Sequence, residues 1–265
     1  MNLEKLTADV CSLARETGSF LRQECKKFSA SAIEVKGDNN FVSYVDKLAE
    51  KLIVDRLRIL LPESGFITEE GTAQSNNERY RWVIDPLDGT TNFIHGLYPF
   101  CVSIALMDGE EVIIGVIYEV GLDECFYAWS GSKAFCNGHE IHVSETSAVQ
   151  DSLIATGFPY TDFDRLEPYL NSFEYLLKNT HGARRLGSAA VDLAYVANGR
   201  FEAFYEYSLH PWDVAAGALI VQQAGGKVSN FAGSGDYIFG KDFVATNAKI
   251  YDEFMKFVNL YFSML

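Results

Sequence analysis

Positive charge is scarce in this chain. Its 265 residues include 22 Lys and Arg against 36 Asp and Glu, a formal net charge of −14, and the deficit is not gathered into an acidic tail. That balance argues against a nucleic-acid surface. No apolar run reaches the ~18 residues of a membrane span. The N-terminus has neither a cationic lead nor a continuous apolar block, so neither a signal peptide nor a membrane partner is expected. Only five cysteines occur, Cys11, Cys25, Cys101, Cys125 and Cys136. They are odd in number, lack C-x-x-C spacing and fall inside apolar segments, which reads as reduced core thiols of a cytoplasmic protein. Internal repeats, low-complexity tracts and domain-separating linkers are also missing.

What remains is an ordinary globular composition, 48% apolar and 22% charged, in a chain long enough for a sizeable core in one domain or two small ones. An anionic substrate would meet a protein short of cations, and bound metal is the obvious source of compensating charge.

The most informative stretch is Trp82-Val83-Ile84-Asp85-Pro86-Leu87-Asp88-Gly89-Thr90-Thr91-Asn92-Phe93. An apolar run of strand type stops at Asp85, and Pro86 fixes φ and cannot extend a ladder. Asp88 then swings back beside Asp85, and the Leu87 carbonyl, freed from a sheet partner, becomes a third oxygen donor of the kind hard divalent cations take. Gly89 permits close backbone approach, and the N–H groups at Thr90 and Thr91 would open a helical turn suited to an anion. The same residues also fit a plain Asx-type loop in which aspartates cap backbone N–H groups. The EF-hand spacing is absent, and the aspartyl-phosphatase pattern is D-x-D, whereas here the gap is three.

Along the chain, Leu3, Leu6, Val10, Leu13, Phe20 and Leu21 mark an amphipathic helix over the first ~25 residues. Ile33–Lys36 reads as extended and Gly37–Asn40 as a turn. Ser43–Leu61 reads as a second helix with Val45, Leu48, Leu52, Ile53, Leu57, Leu60 and Leu61 on its buried side, ended by Pro62; Ser43-x-x-Asp46 fits a capping box. Gly65–Gly71 is a short strand ending in Glu69 and Glu70, a pair that equally suits a solvated turn. An antiparallel meander follows: Cys101–Met107, a turn at Asp108-Gly109, Val112–Tyr118, Cys125–Trp129 and Ile141–Val143.

The second half alternates, with strands at Leu153–Thr156, Ala183–Leu186, Phe201–Tyr207 and Phe243–Ala245 and a helix at Leu166–Leu177. Another helix opens after Gly187-Ser188-Ala189 and ends at Gly199. Asp213 sits at the start of a small-residue helix running to Gly225-Gly226, where the helix dipole alone would suit it. An amphipathic helix closes the chain. Mixed strands and helices make the class α+β or layered α/β.

Glu69, Asp85 and Asp213 each stand at the end of a strand or the start of a helix, where chain ends gather. Like charges ~4 Å apart repel by roughly 1 kcal/mol in water and ~4 at an effective dielectric of 20. A cluster of Glu69, Asp85, Asp88 and Asp213 therefore implies at least two divalent ions.

Four separated motifs resemble the inositol monophosphatase family of the bacterial kind, nearly end to end: Phe66-Ile67-Thr68-Glu69-Glu70, Trp82–Phe93, Gly187-Ser188-Ala189-Ala190, and Trp212-Asp213-Val214-Ala215-Ala216-Gly217 with Ala224-Gly225-Gly226 behind it. The resemblance implies a five-layer αβαβα sandwich, commonly a homodimer, that uses two to three Mg²⁺ ions and is often inhibited by Li⁺. Its halves would be residues 1–145, carrying most metal ligands, and 146–265, carrying Asp213 and substrate contacts, in one compact catalytic unit.

Carried onto this chain, Glu69, Asp85 and the Leu87 carbonyl would hold one metal and Asp85, Asp88 and Asp213 a second, with a weaker third near Glu69. Asp46 and Thr90 would orient the nucleophilic water, although Ser43 and Tyr44 stand before Asp46 where relatives often carry threonine. Glu70 would support the metal ligands from behind. Asp88, Gly89, Thr90, Gly187, Ser188, Ala189 and Glu206 would contact substrate. The implied reaction is hydrolysis of a small phosphate ester by metal-activated water, without a covalent enzyme intermediate. Myo-inositol monophosphate is the first substrate; fructose 1,6-bisphosphate, 3′-phosphoadenosine 5′-phosphate, NADP and histidinol phosphate are alternatives, as is a non-catalytic metal-binding regulatory role. For Arg184 and Arg185, just before the Gly187 loop, the sequence leaves two readings, substrate contact or solvated surface arginines, and favours the second.

Overall fold

A computed structural model describes residues 1–27, 33–37, 40–75, 78–160 and 162–262. The chain opens with α1 (Leu3–Cys25), a hairpin of β1 (Ile33–Gly37) and β2 (Asn40–Ser43), and α2 (Tyr44–Leu60). It then builds a seven-stranded sheet in sequential order from β3 (Gly65–Thr68), β4 (Tyr80–Asp88), β5 (Cys101–Asp108), β6 (Glu111–Glu119), β7 (Glu124–Trp129), β8 (Ala134–Cys136) and β9 (His139–Ile141), with α3 (Thr90–Ile94) between β4 and β5. Every pairing is antiparallel except β3 on β4.

The second half supplies β10 (Leu153–Thr156), α4 (Leu166–Asn179), β11 (Gly182–Arg184), α5 (Ala189–Ala197), β12 (Ala203–Tyr207), α6 (Pro211–Gln223), β13 (Lys227–Ser229), β14 (Asp242–Thr246) and α7 (Tyr251–Phe262). Its five strands form a second sheet in the order β11-β10-β12-β14-β13, parallel around β10 and antiparallel around β14.

Side-chain alternation along the strands sorts these elements into layers. Trp82, Ile84, Val102 and Ile104 face α1 and α2, while Val83, Cys101, Ala105 and Met107 from the same strands face α5 and α6. In the second sheet Phe204, Phe243 and Ala245 face α5 and α6 from the other side, and Tyr205 and Val244 face α4 and α7. The architecture is an α+β, five-layer αβαβα sandwich. Its middle layer is apolar all round, as a helix buried on every side must be: all nine residues of α5 are buried, and so is Val214–Val221 of α6. Small residues let that layer sit close. A Cβ on Gly115 of β6 would lie 2.5 Å from the Ala216 carbonyl oxygen, and one on Gly217 would lie 2.5 Å from Leu193 Cδ1.

Several local expectations are corrected. Leu48 is 50% exposed, whereas Asp46 and Glu50 are buried on the inner face of α2. The β4 strand does not stop at Asp85 but runs through Pro86 to Asp88 across a bulge. The strand expected to reach Leu186 ends at Arg184. β8 and β13, of three residues each, carried too little pattern to be read. The turn at residues 38 and 39 and the Ser43 side chain of the expected capping box lie outside what is described. All five cysteines are free; Cys101 and Cys125 are buried and the other three partly so.

Candidate active site

The bulge in β4 shapes the first part of the site. Asp85 pairs with Ser103 and Asp88 with Cys101, so three steps of one strand match two of the other, and the extra residue breaks the ladder. Leu87 N–H donates to Asp85 Oδ1 at 2.9 Å, an Asx turn inside the strand, and Thr90 Oγ donates to the Leu87 carbonyl at 3.0 Å. The bland reading of this motif is thus correct in part, and it leaves the second Asp85 oxygen without a hydrogen-bond partner among the described residues. Gly89 follows with φ 94° as the N-cap of α3. A Cβ there would stand 3.1 Å from the Pro99 carbonyl oxygen, so both the dihedral and the space favour glycine.

Glu69 leaves the end of the neighbouring parallel strand, β3, with its N–H donating to the Ile84 carbonyl at 3.3 Å. The loop beyond it is anchored from α2, where the fully buried Glu50 accepts the Glu70 N–H at 2.7 Å. Asp46, one turn earlier in α2 and 1% exposed, is at 3.4 Å the more distant of two acceptors that share the single Thr90 hydroxyl proton. It stands behind Thr90 rather than in the cavity wall.

The middle-layer helices bring the rest. Asp88 Oδ2 accepts from Ser188 Oγ and from Ala190 N–H, both at 2.7 Å, which fastens the β4 motif to the first turn of α5. Ser188 also caps that helix by accepting the Val191 N–H at 3.3 Å. Asp213, in the first turn of α6, accepts the His210 N–H on Oδ2 at 2.6 Å. Glu206 comes from β12 of the second sheet.

Every residue expected in the site except Asp46 and Glu70 lines one cavity of about 270 Å³. Its carboxylates feel one another. Burial, then the Glu69, Asp88 and Asp213 charges, hold the Asp85 carboxyl well above the usual carboxylate range, and burial with the Asp213 charge pushes Asp88 up to about 7. Glu206 is raised by burial and by Asp213, against the lowering effect of Arg185.

These residues fit a hard divalent cation. Asp85, Asp88 and Asp213 each engage one oxygen with a backbone N–H or hydroxyl and keep the other without a hydrogen-bond partner among the described residues. The Leu87 carbonyl adds a neutral oxygen, and the mutual repulsion is the kind a cation relieves. The carboxylates share a cavity without being closed into a cage: among the described residues no three or more His, Cys, Asp or Glu side chains stand at ready-made metal-ligating geometry.

Sequence reasoning missed the opposite wall. Gly157, Phe158 and Tyr160, beyond β10, line the cavity with Asp192 of α5, and no local motif marks them. The sequence signal for Asp192 is that it is the one charged residue in the otherwise apolar run Ala189–Ala197. Arg185 corrects the reading of both arginines as solvated: it lines the cavity, while Arg184 is exposed.

Residues 2–258 match the inositol monophosphatase family. The chain is 41% identical to the Nus factor SuhB of Pseudomonas aeruginosa over 243 residues, 90% of each chain. It is 40% identical to the fructose-1,6-bisphosphatase/inositol-1-monophosphatase of Thermotoga maritima over 223 residues, 84% of each. Among solved structures, the extragenic suppressor protein suhB of Bartonella henselae superposes with a TM-score of 0.88 at 37% identity, covering 95% of this chain and 97% of that one. With the layered fold, the bulged aspartate motif and a match over nearly the whole sequence in agreement, this chain belongs to the inositol monophosphatase family, a family of phosphatases.

Proposed function

We propose that the chain is a Mg²⁺-dependent phosphomonoesterase that hydrolyses myo-inositol monophosphate to inositol and phosphate. The observation that carries this reading is that one cavity gathers Glu69, Asp85, Asp88 and Asp213 with the Leu87 carbonyl, and beside them Glu206 and the Gly187–Ala189 turn. The first set would hold two to three Mg²⁺ ions, and the second the hydroxyls of the alcohol. Bound there, Mg²⁺ supplies an acidified water and charge compensation for the phosphate. Asp46 and Thr90 orient the attacking water, with Asp46 accepting a proton through the Thr90 hydroxyl. Backbone N–H groups after Gly89 hold phosphate oxygens, and Glu206 accepts from substrate hydroxyls.

The reading extends to residues 1–145 and 146–265 acting as one catalytic unit, to inhibition by Li⁺ and to a cytoplasmic location. Among the described residues no helix is long and apolar enough to cross a membrane. A homodimer is supported by the exposed apolar side chains Tyr98 and Leu122, 53% and 64% exposed, which line one shallow groove.

Phosphate release from inositol 1-phosphate, with and without Mg²⁺, tests the proposal, and no turnover with Mg²⁺ present removes it. A second reading, fructose 1,6-bisphosphate hydrolysis, is favoured by the name of the Thermotoga relative, and a substrate panel in the same assay ranks the two. The name Nus factor carried by the Pseudomonas relative supports a further regulatory role. With a charge of −14, such a role would run through a protein partner rather than direct nucleic-acid contact.

A further inference from the structure

The cavity lining holds an arrangement that the phosphatase reading does not use. Arg185 is the cavity's one arginine, and no lysine lines it among the described residues. Its guanidinium carbon lies 5.2 Å from the Phe158 ring centroid and 5.3 Å from that of Tyr160, and Arg185 Nη2 donates to Tyr160 Oη. The two rings hold the plane of the fork by cation–π attraction. They engage no acceptor for the remaining donors, and the buried Nε has no hydrogen-bond partner.

The Glu206 and Asp192 carboxyls line the same cavity. Asp192 is 1% exposed, and its Oδ1 has no partner either. Arg185 makes no ion pair within 4 Å with any carboxylate of the described residues, although its charge acts on Asp88, Asp192 and Glu206. A planar donor, fixed by aromatic rings and separated from buried acceptors, needs a ligand that both accepts and donates. Hydroxyl groups do both, whereas an alkyl or aryl alcohol would leave donor and acceptors unpaired at a cost.

We propose that Arg185, held by Phe158 and Tyr160, is a specificity-determining residue that contacts hydroxyl groups on the alcohol portion of polyhydroxylated phosphomonoesters, with Asp192 as the positioning residue behind it. This rests on the phosphatase reading above and adds the selection of polyols over simple alcohols. Arginine rather than lysine suits the task, because a rigid fork offers several donors in one plane.

The experiment compares full-length wild type, R185Q, R185K and D192N in Mg²⁺ on myo-inositol 1-phosphate and p-nitrophenyl phosphate, with thermal melting as the check of folding. R185Q is expected to raise KM for inositol 1-phosphate about 10-fold or more, with kcat within about threefold, and to lower kcat/KM for p-nitrophenyl phosphate by at least about threefold less than kcat/KM for inositol 1-phosphate. R185K should recover little, and D192N should shift the same KM in the same direction by less. Equal losses on both substrates, or an unchanged KM for inositol 1-phosphate in R185Q and R185K, would overturn the proposal while wild-type turnover left the phosphatase reading intact. A wild type inactive on every phosphomonoester with Mg²⁺ present would overturn both.

Discussion

Glu50 and Thr72 are joined twice through one carboxylate oxygen: Thr72 N–H donates to Glu50 Oε1 at 2.8 Å and Thr72 Oγ donates to it at 2.7 Å. Together with the Glu70 N–H on Oε2, this buried carboxylate clamps the loop that carries Glu69. Glu50→Ala would strand three donors in a partly buried loop, at a cost of at least about 2 kcal/mol, and would free Glu69 to move. Both the denaturant midpoint and kcat/KM are expected to fall, with Glu50→Gln losing less of each. A destabilised Glu50→Ala variant with full activity would show that the clamp does not place Glu69.

Asp88→Asn separates charge from structure at the junction of β4 and α5. The amide oxygen can still accept from Ser188 Oγ and the Ala190 N–H, so the melting temperature should change little. Loss of the negative charge should reduce kcat/KM by more than about 100-fold, since even indirect supports of a metal site cost 10–100-fold. Comparable falls in melting temperature and activity would instead assign Asp88 a structural role.

The pH response follows from the raised carboxyls. For a carboxyl whose folded pKa lies above its unfolded value, the stabilising contribution is full below the unfolded value and is lost as pH rises through the folded one. For Asp88 that window runs from about 3.8 to about 7, and Asp85 shifts in the same direction. Metal-free protein should therefore lose stability across this range. Mg²⁺ binds the ionised forms, so calorimetry should find a larger rise in melting temperature on adding Mg²⁺ at pH 8 than at pH 5.5. Equal rises at the two pH values would contradict this account.

Gly157→Ala probes the part of the cavity lining that holds Glu206. A Cβ at this position would overlap the Glu206 carboxyl group. That group is the flexible end of a side chain, so stability should change by no more than about 1 kcal/mol. Glu206 would be pushed from its place, and KM for a polyol phosphate should rise severalfold while kcat changes little. An unaltered KM would mean that Glu206 does not meet substrate from that position.

The sequence was most readable where local pattern and tertiary role coincide. The 3.6-residue spacing of Leu6, Val10 and Leu13 announces α1, and the alternation around Asp108-Gly109 announces the β5–β6 hairpin. Reading failed where the site overrides the pattern. Hydrophobic periodicity put Leu48 in the core, yet α2 turns Asp46 and Glu50 inward, because these carboxylates hold groups around the cavity. Pro86 signalled a strand end, but the bulge leaves Pro86 without a ladder position to fill. Residues 157–160, Arg185 and Asp192 belong to no motif. Their meeting is set by how the second sheet packs over α5, which neighbouring residues in the sequence do not encode.

The tight middle layer has a bearing on how new specificities can arise in this scaffold. Gly115 against Ala216 and Gly217 against Leu193 leave no slack between the sheets, and Asp213 and the anchor of Asp88 ride on the two helices they clasp. Drift at the metal-ligand candidates would be felt throughout the sandwich, whereas a change in the short segment after β10 or in the turn before α5 is felt first by Glu206 and Arg185. A new reaction partner is therefore most readily accommodated where the lining does not ride on the two buried helices.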